Sequence, residues 1–264
     1  MIAAGLVPSL RRHTLAPAWR GWIARSAPAL TILLAWQVVS TGLASPRLPT
    51  PAAVVATMGE EALHGPLLYH LGVTLLRVTV SFSLAMAVGT VLGIAMGSSA
   101  RLNRWLDPWL QLFLTIPAMV VAILAYVWLG LTETAAIVAV TLSKLPNVVV
   151  ILREGRRRHD RELADMAHAF RFPPRNLVFD LLIPELAPFL LAAARSGLSL
   201  VWKIVLLVEL LGRSSGIGFQ LNVYFQMFDM TRVLAYAASF MLIILAIDSV
   251  LLAWMDRRVS RWQR

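Results

Sequence analysis

Five histidines, two lysines and no cysteine set narrow limits on the chemistry open to this 264-residue chain. His13, His64, His70, His159 and His168 fall in loops or at the ends of apolar runs, and no H-E-x-x-H or G-x-S-x-G accompanies them. A catalytic constellation for an intramembrane protease or transferase is therefore not readable. Lysine occurs only at 144 and 203, neither preceded by glycine, so the chain cannot hold the G-x-x-x-x-G-K-[ST] loop that grips nucleotide phosphates. Without cysteine there is neither a disulfide framework nor a thiolate metal site.

The remaining polar residues of interest lie inside apolar runs: Arg77, Lys144, Asn147, Lys203 and Glu209. A charge at mid-bilayer costs at least about 2.5–3.5 kcal/mol on insertion scales, so each needs a reason and each is a candidate for lining a translocation path. Lys203 and Glu209 share one run, about 120° apart around a helix, too far for a direct pair. Glu209, near the end of the run, can face water. Lys203, deeper, can line a path for an anion, pair with a carboxylate across a dimer, or snorkel. Arg77 reads as structural. Lys144, Pro146 and Asn147 together break their run near its cytoplasmic half, proline kinking the helix and freeing a carbonyl. Gln37 suits a hydrogen bond between helices.

These residues must be positioned by membrane helices. Hydrophobic residues make up 58% of the chain, charged residues 14%, and mean hydropathy is +0.72; soluble domains carry about 25% charged residues. Six runs are long enough, or nearly so, to cross ~30 Å of hydrocarbon as helices: 27–43, 67–96, 109–129, 134–152, 186–211 and 233–255. The expectation is an all-α polytopic membrane protein: an N-terminal segment 1–26, a transmembrane domain 27–255, and a tail 256–264. The first run comes too late, and ends too poorly for cleavage, to be a signal peptide. Gly89, Gly93 and Gly97 repeat at four-residue spacing, which suits close helix packing. Trp105, Trp109, Trp128, Trp254 and Trp262 sit at run ends as interfacial anchors.

Arginine sets the orientation. With the N-terminus inside, seventeen arginines fall on the cytoplasmic side and three, Arg47, Arg213 and Arg232, outside. Both termini are therefore expected in the cytoplasm of a bacterial inner membrane. The net charge of +10 is explained by these short blocks, not by nucleic acid. Outside, 45–66 begins proline-rich and continues as a short interfacial helix. The segment 212–218, rich in glycine and serine, is a re-entrant turn, a gate contact or a plain turn.

One cytoplasmic connection, 153–183, is long, and long loops in compact domains are usually functional. Within it, 161–172 can form a helix with Leu163, Met166, Ala167 and Phe170 on one face, stopped by Pro173-Pro174. A helical turn or two follows at 175–182, and Pro184 opens the next run. Such a helix lies on lipid headgroups or docks to a partner protein.

This loop resembles the cytoplasmic EAA motif of ABC importer permeases: a Glu-Ala-Ala triplet, a glycine four residues on, and an apolar-Leu-Pro ending. Asp165-Met166-Ala167 occupies the triplet, Arg171 the glycine and Ile183-Pro184 the ending. Arginine cannot cheaply adopt the left-handed conformation open to glycine, so the turn is built differently here or the register shifts locally. Further blocks resemble the nitrate/sulfonate/taurine subfamily. They are Leu48-Pro49-Thr50-Pro51, Thr74-Leu75-Leu76-Arg77, Leu106-Asp107-Pro108, Thr115-Ile116-Pro117, Val208-Glu209-Leu210-Leu211-Gly212 and Ser214-Ser215-Gly216-Ile217-Gly218.

The resemblance implies a type I importer transmembrane fold and a permease subunit rather than an enzyme. It implies a homodimer of this chain, two cytoplasmic ABC ATPase subunits that bind the ATP and Mg, and an extracytoplasmic substrate-binding protein. The chain itself would hold no cofactor. The ATPase-coupling helix would comprise Leu163, Asp165, Met166, Ala167, Phe170, Arg171 and Phe172, with Ile183 and Pro184 closing the loop. A small organic or inorganic anion is the expected cargo. An independent secondary transporter would show internal repeats and helices broken at mid-membrane, and neither is read here.

Overall fold

The computed structural model describes residues 18–43, 45, 47–158, 173 and 181–259, without the side chains of 18–27, 29 and 251–259. Among the described residues the secondary structure is helical: α1 Ala18–Leu43, α2 Pro51–Leu63, α3 Leu67–Ser98, α4 Ala100–Thr115, α5 Ala118–Leu129, α6 Glu133–Arg157, α7 Ile183–Gly212, α8 Ile217–Gln226 and α9 Met230–Val259. α3, α6, α7 and Met230–Val250 of α9 are each long and apolar enough to cross a membrane. The apolar part of α1, Leu30–Leu43, is shorter.

Local chemistry sets several helix starts. Thr50 accepts from the Ala53 N–H at 3.2 Å, with Pro51 at the first helical position of α2. Ser99 accepts from Leu102 N–H at 3.3 Å to start α4 directly after α3. Thr132 accepts from Ala135 N–H at 3.1 Å to start α6.

The third run, expected as one helix over 109–129, is broken. Pro117 has no N–H to donate and pushes the residue before it out of the helical region, and Ile116 is extended at φ −70, ψ 124. α4 and α5 meet at 100°. The 12 residues of α5 rise only about 18 Å, less than a bilayer core. The expected break in the fourth run is absent: α6 continues through Pro146 to Arg157.

The helices pack on small residues. Gly89, Gly93 and Gly97 lie against α6, where a Cβ on Gly93 would stand 2.9 Å from the Val149 carbonyl oxygen. The spacing legible in the sequence is thus the α3–α6 seam, the largest helix–helix contact. α5, α6 and α7 meet on Ala122, Ala125, Ala135, Ala139, Val201 and Val205. α1 presents Ile32, Leu34 and Val38 outward and is held to the loop before α2 where Trp36 Nε1 donates to the Pro49 carbonyl at 3.1 Å. α2 is tied to α9: Arg232 Nε and the Tyr236 hydroxyl donate to the two oxygens of Glu61 at 3.0 and 2.8 Å.

Candidate functional site

Where the turn between α7 and α8 meets the starts of α3 and α6, charged side chains are buried together. Arg77 is 4% exposed and Glu209 is fully buried. Arg77 Nη1 donates to Glu209 Oε1 and to the Ser215 carbonyl, both at 2.7 Å. Its Nε and Nη2 grip the two oxygens of Glu133 at 2.8 and 2.6 Å, and Nη2 also reaches Ser215 Oγ at 2.8 Å. Each of the guanidinium's five N–H groups can therefore find an acceptor. Glu209 also accepts from Gly218 N–H at 2.9 Å, with the Thr74 hydroxyl 2.9 and 3.0 Å from its oxygens. Arg213 adds bonds to Glu133 and to the Leu131 carbonyl.

The turn is threaded through this knot. Gly216 N–H donates to His70 Nδ1 at 3.0 Å, and Ile217 N–H to Thr74 Oγ1 at 2.8 Å. Because Nδ1 accepts, the His70 proton is on Nε2, 2.6 Å from the Gln220 amide, which then presents its oxygen. Gly216 has φ +108, and a Cβ there would strike the Glu209 carboxylate, so glycine is required. Burying ions is costly unless their remaining donors and acceptors are also filled; those of Arg77 and Glu209 are, whereas Arg213 Nε is buried without a hydrogen-bond partner among the described residues. The expectation that Glu209 faces water is corrected: it is fully buried and, with Arg77, paired within the helix packing.

Lys203 and the Lys144–Asn147 pair stand elsewhere, in the interiors of α7 and α6. The outward face of α7 carries Ser196, Ser199 and Lys203, all exposed. The outward faces of α5 and α9 are apolar by contrast, with Met119, Ile123 and Val127 on α5 and Met241, Leu242 and Leu245 on α9. Behind the α7 face Lys144 is fully buried, its Nζ donating to Asn147 Oδ1 at 2.6 Å. That same oxygen accepts from Ser196 Oγ at 3.3 Å. The lysine terminus occupies the space in front of Gly197, where a Cβ would collide with it. Lys203 lines an open groove of about 360 Å³ with Ser199, Trp202, Leu206, Phe240 and Asp248. Trp202 Nε1 and Asp248 Oδ1 are buried in it without hydrogen-bond partners among the described residues.

At the opposite end of α6, Arg153 pairs with Asp107 and reaches Asn103 Oδ1 at 3.3 Å, while Arg156 Nε donates to Ser98 Oγ at 2.9 Å. These bonds fasten α4 and the end of α3 where the long loop begins. Leu163, Asp165, Met166, Ala167, Phe170, Arg171 and Phe172 lie outside the described residues. Ile183, exposed, and Pro184 open α7. Among the described residues no group of three or more His, Asp or Glu could hold a metal ion.

Residues 89–261 match the family described as "Binding-protein-dependent transport system inner membrane component". The putative aliphatic sulfonates transport permease protein SsuC of Bacillus subtilis is 29% identical over 92% of this chain and 88% of its own length. The nitrate import permease protein NrtB of Synechocystis is 29% identical over 82% of each. The taurine transport system permease protein TauC of Escherichia coli is 26% identical over 95% of each. Among solved structures, an inward-facing form of the MetNI methionine ABC transporter superposes with a TM-score of 0.64 at 20% identity, over 77% of this chain and 99% of the matched one.

Proposed function

The chain belongs to the inner-membrane components of binding-protein-dependent transport systems, and from that premise we propose that two copies of it face each other across α7 to enclose a path for a small anion. As the permease subunit of an ABC importer it is a multi-pass membrane protein that works with separate ATPase subunits and a substrate-binding protein. The observation that supports the path is the line Ser196, Ser199 and Lys203 on the outward face of a helix long enough to span the membrane. In lipid those groups would be costly; facing a water-filled space between two copies they are satisfied.

The orientation follows from the arginine asymmetry, both termini and the loop 153–183 being cytoplasmic. The knot around Arg77 and Glu209 then lies at the outer end, holding the 213–216 turn as a rigid rim. The loop helix of Leu163, Asp165, Met166, Ala167 and Phe170 seats in the ATPase subunit, which binds ATP and Mg, and carries their closure to the spans. Aliphatic sulfonates, nitrate and taurine, the cargoes named for the relatives, support a cargo class of small solutes with one compact anionic head.

Replacing Asp165 and Ala167 together by arginine tests the coupling. The complex, purified with its ATPase and reconstituted with its binding protein, is expected to lose binding-protein-stimulated ATP hydrolysis at least ten-fold while the permease keeps its thermal midpoint. Stimulation equal to wild type would place the coupling contact elsewhere. Transport persisting after ATP depletion would overturn the importer reading itself.

A further inference from the structure

The α7 face carries donors and few acceptors. Lys144 Nζ uses one N–H on Asn147, and the Asn147 amide nitrogen makes no hydrogen bond among the described residues. Ser196 and Ser199 bring hydroxyls, and Lys203 brings a second ammonium. Neither lysine makes an ion pair among the described residues, although Asp248 lines the same groove as Lys203. Lys203 on this face and Lys144 buried behind it thus stand beside an amide with no ion-paired carboxylate among the described residues, and the Lys144 terminus fills the space that a Cβ at position 197 would take.

We propose that Lys144, acting through Asn147 and Ser196 and together with Lys203, makes this face selective for monovalent oxyanions, such as a sulfonate, carboxylate or nitrate. This rests on α7 lining the path. The role of Lys144 is one of specificity: its ammonium is buried, so it orients the Asn147 carbonyl inward. That leaves the Asn147 amide N–H groups to meet the solute, with a fixed positive charge behind them, while the Ser196 hydroxyl donates to Asn147 Oδ1 or the Ala193 carbonyl. Lys203, exposed, meets the anion directly. Asp248, lining the same groove, repels a second negative charge and so favours a singly charged head group.

The chain contains no cysteine, so a thiol placed at Ser196 or Ser199 is unique in it. The intact complex in membranes carrying Ser199→Cys or Ser196→Cys is treated with the anionic sulfonatoethyl and the cationic trimethylammonioethyl methanethiosulfonates. Labelling rates are read as mass shifts on this chain and normalised to each reagent's rate with a free thiol. The anionic reagent is expected to win by about ten-fold. Lys144→Met and Lys203→Met are each expected to lower that ratio on the order of five-fold, as loss of one charge near a partly hydrated site implies. Gly197→Ala, which pushes the Lys144 terminus aside, gives a smaller drop in the same direction and covers the case in which Lys144→Met does not assemble. A thiol that reacts with a ratio none of the three substitutions changes would overturn the charge proposal and leave the path standing. Thiols at 196 and 199 inert to both reagents, with and without ATP, would overturn the path.

Discussion

Arg77 holds two carboxylates and a turn with a single side chain, and that makes it hard to replace. Removing the cation leaves Glu209 fully buried with no positive partner, a change that costs about 3–5 kcal/mol. Arg77→Met is therefore expected to lower the thermal midpoint of the detergent-solubilised permease strongly. Arg77→Lys should rescue little, because one ammonium cannot fork onto Glu133 while also reaching Glu209 and Ser215. The double substitution Arg77→Met with Glu209→Met should cost clearly less than the sum of the two single changes, since it removes both buried charges. Additive losses would mean that the two residues do not act on each other. The sequence marked Arg77 and Glu209 one at a time, as charges in apolar runs needing a reason. It could not pair them, because they are 132 positions apart and helical spacing relates only near neighbours. The signal available was the set of blocks around Thr74–Arg77, Val208–Gly212 and Ser214–Gly218, which the fold brings to one place.

At the scale of helices, run length and small-residue spacing were enough to give the long spans and the α3–α6 seam. The seam makes a test with its own control on the same helix. Gly93→Val must push the helices apart, because a Cβ there meets Leu152 Cβ at 2.7 Å and the Val149 carbonyl at 2.9 Å. Overpacking of this kind costs about 1–3 kcal/mol. Gly72→Ala, with nothing within 4 Å of the new Cβ, should be neutral or mildly stabilising, by up to about 1 kcal/mol, because alanine favours the helix. Equal midpoints for the two variants would show that the seam is not close-packed. What spacing could not show is the direction of the chain at Ile116-Pro117. A proline inside an apolar run is compatible with an uninterrupted helix, as at Pro146 in α6, or with the 100° turn seen between α4 and α5. At Pro117 the preceding residue is extended and Arg153 clamps Asp107 and Asn103 on α4, so a tertiary contact on a distant loop end fixes the sharper turn. The same limit applies to α6, where the expected break is absent although the proline is present.

For the whole molecule the decisive property is that the exposed side of α7 carries Ser196, Ser199 and Lys203, the side across which two copies are proposed to meet. A cysteine at Ser199, unique in the chain, should then cross-link to its counterpart with a short bismaleimide in the assembled complex. The yield should depend on the nucleotide state, because closure of the ATPase subunits is transmitted to the spans. A complete switch between two arrangements requires a differential interaction of about 5.5 kcal/mol. Trapping the ATPases with ATP and vanadate is therefore expected to change the cross-linking rate by at least ten-fold relative to the nucleotide-free complex. The same cysteine on Lys203 should follow in parallel, whereas one on the apolar face of α5 at Val127, also exposed in the single chain, serves as the contrast. If Val127→Cys cross-links and Ser199→Cys does not, the copies meet through α5 and the polar face of α7 is turned elsewhere. If Ser199→Cys cross-links at one rate in every nucleotide state, the copies do meet at α7 but the helix is a static seam, and the moving part of the path must be sought among the other spans.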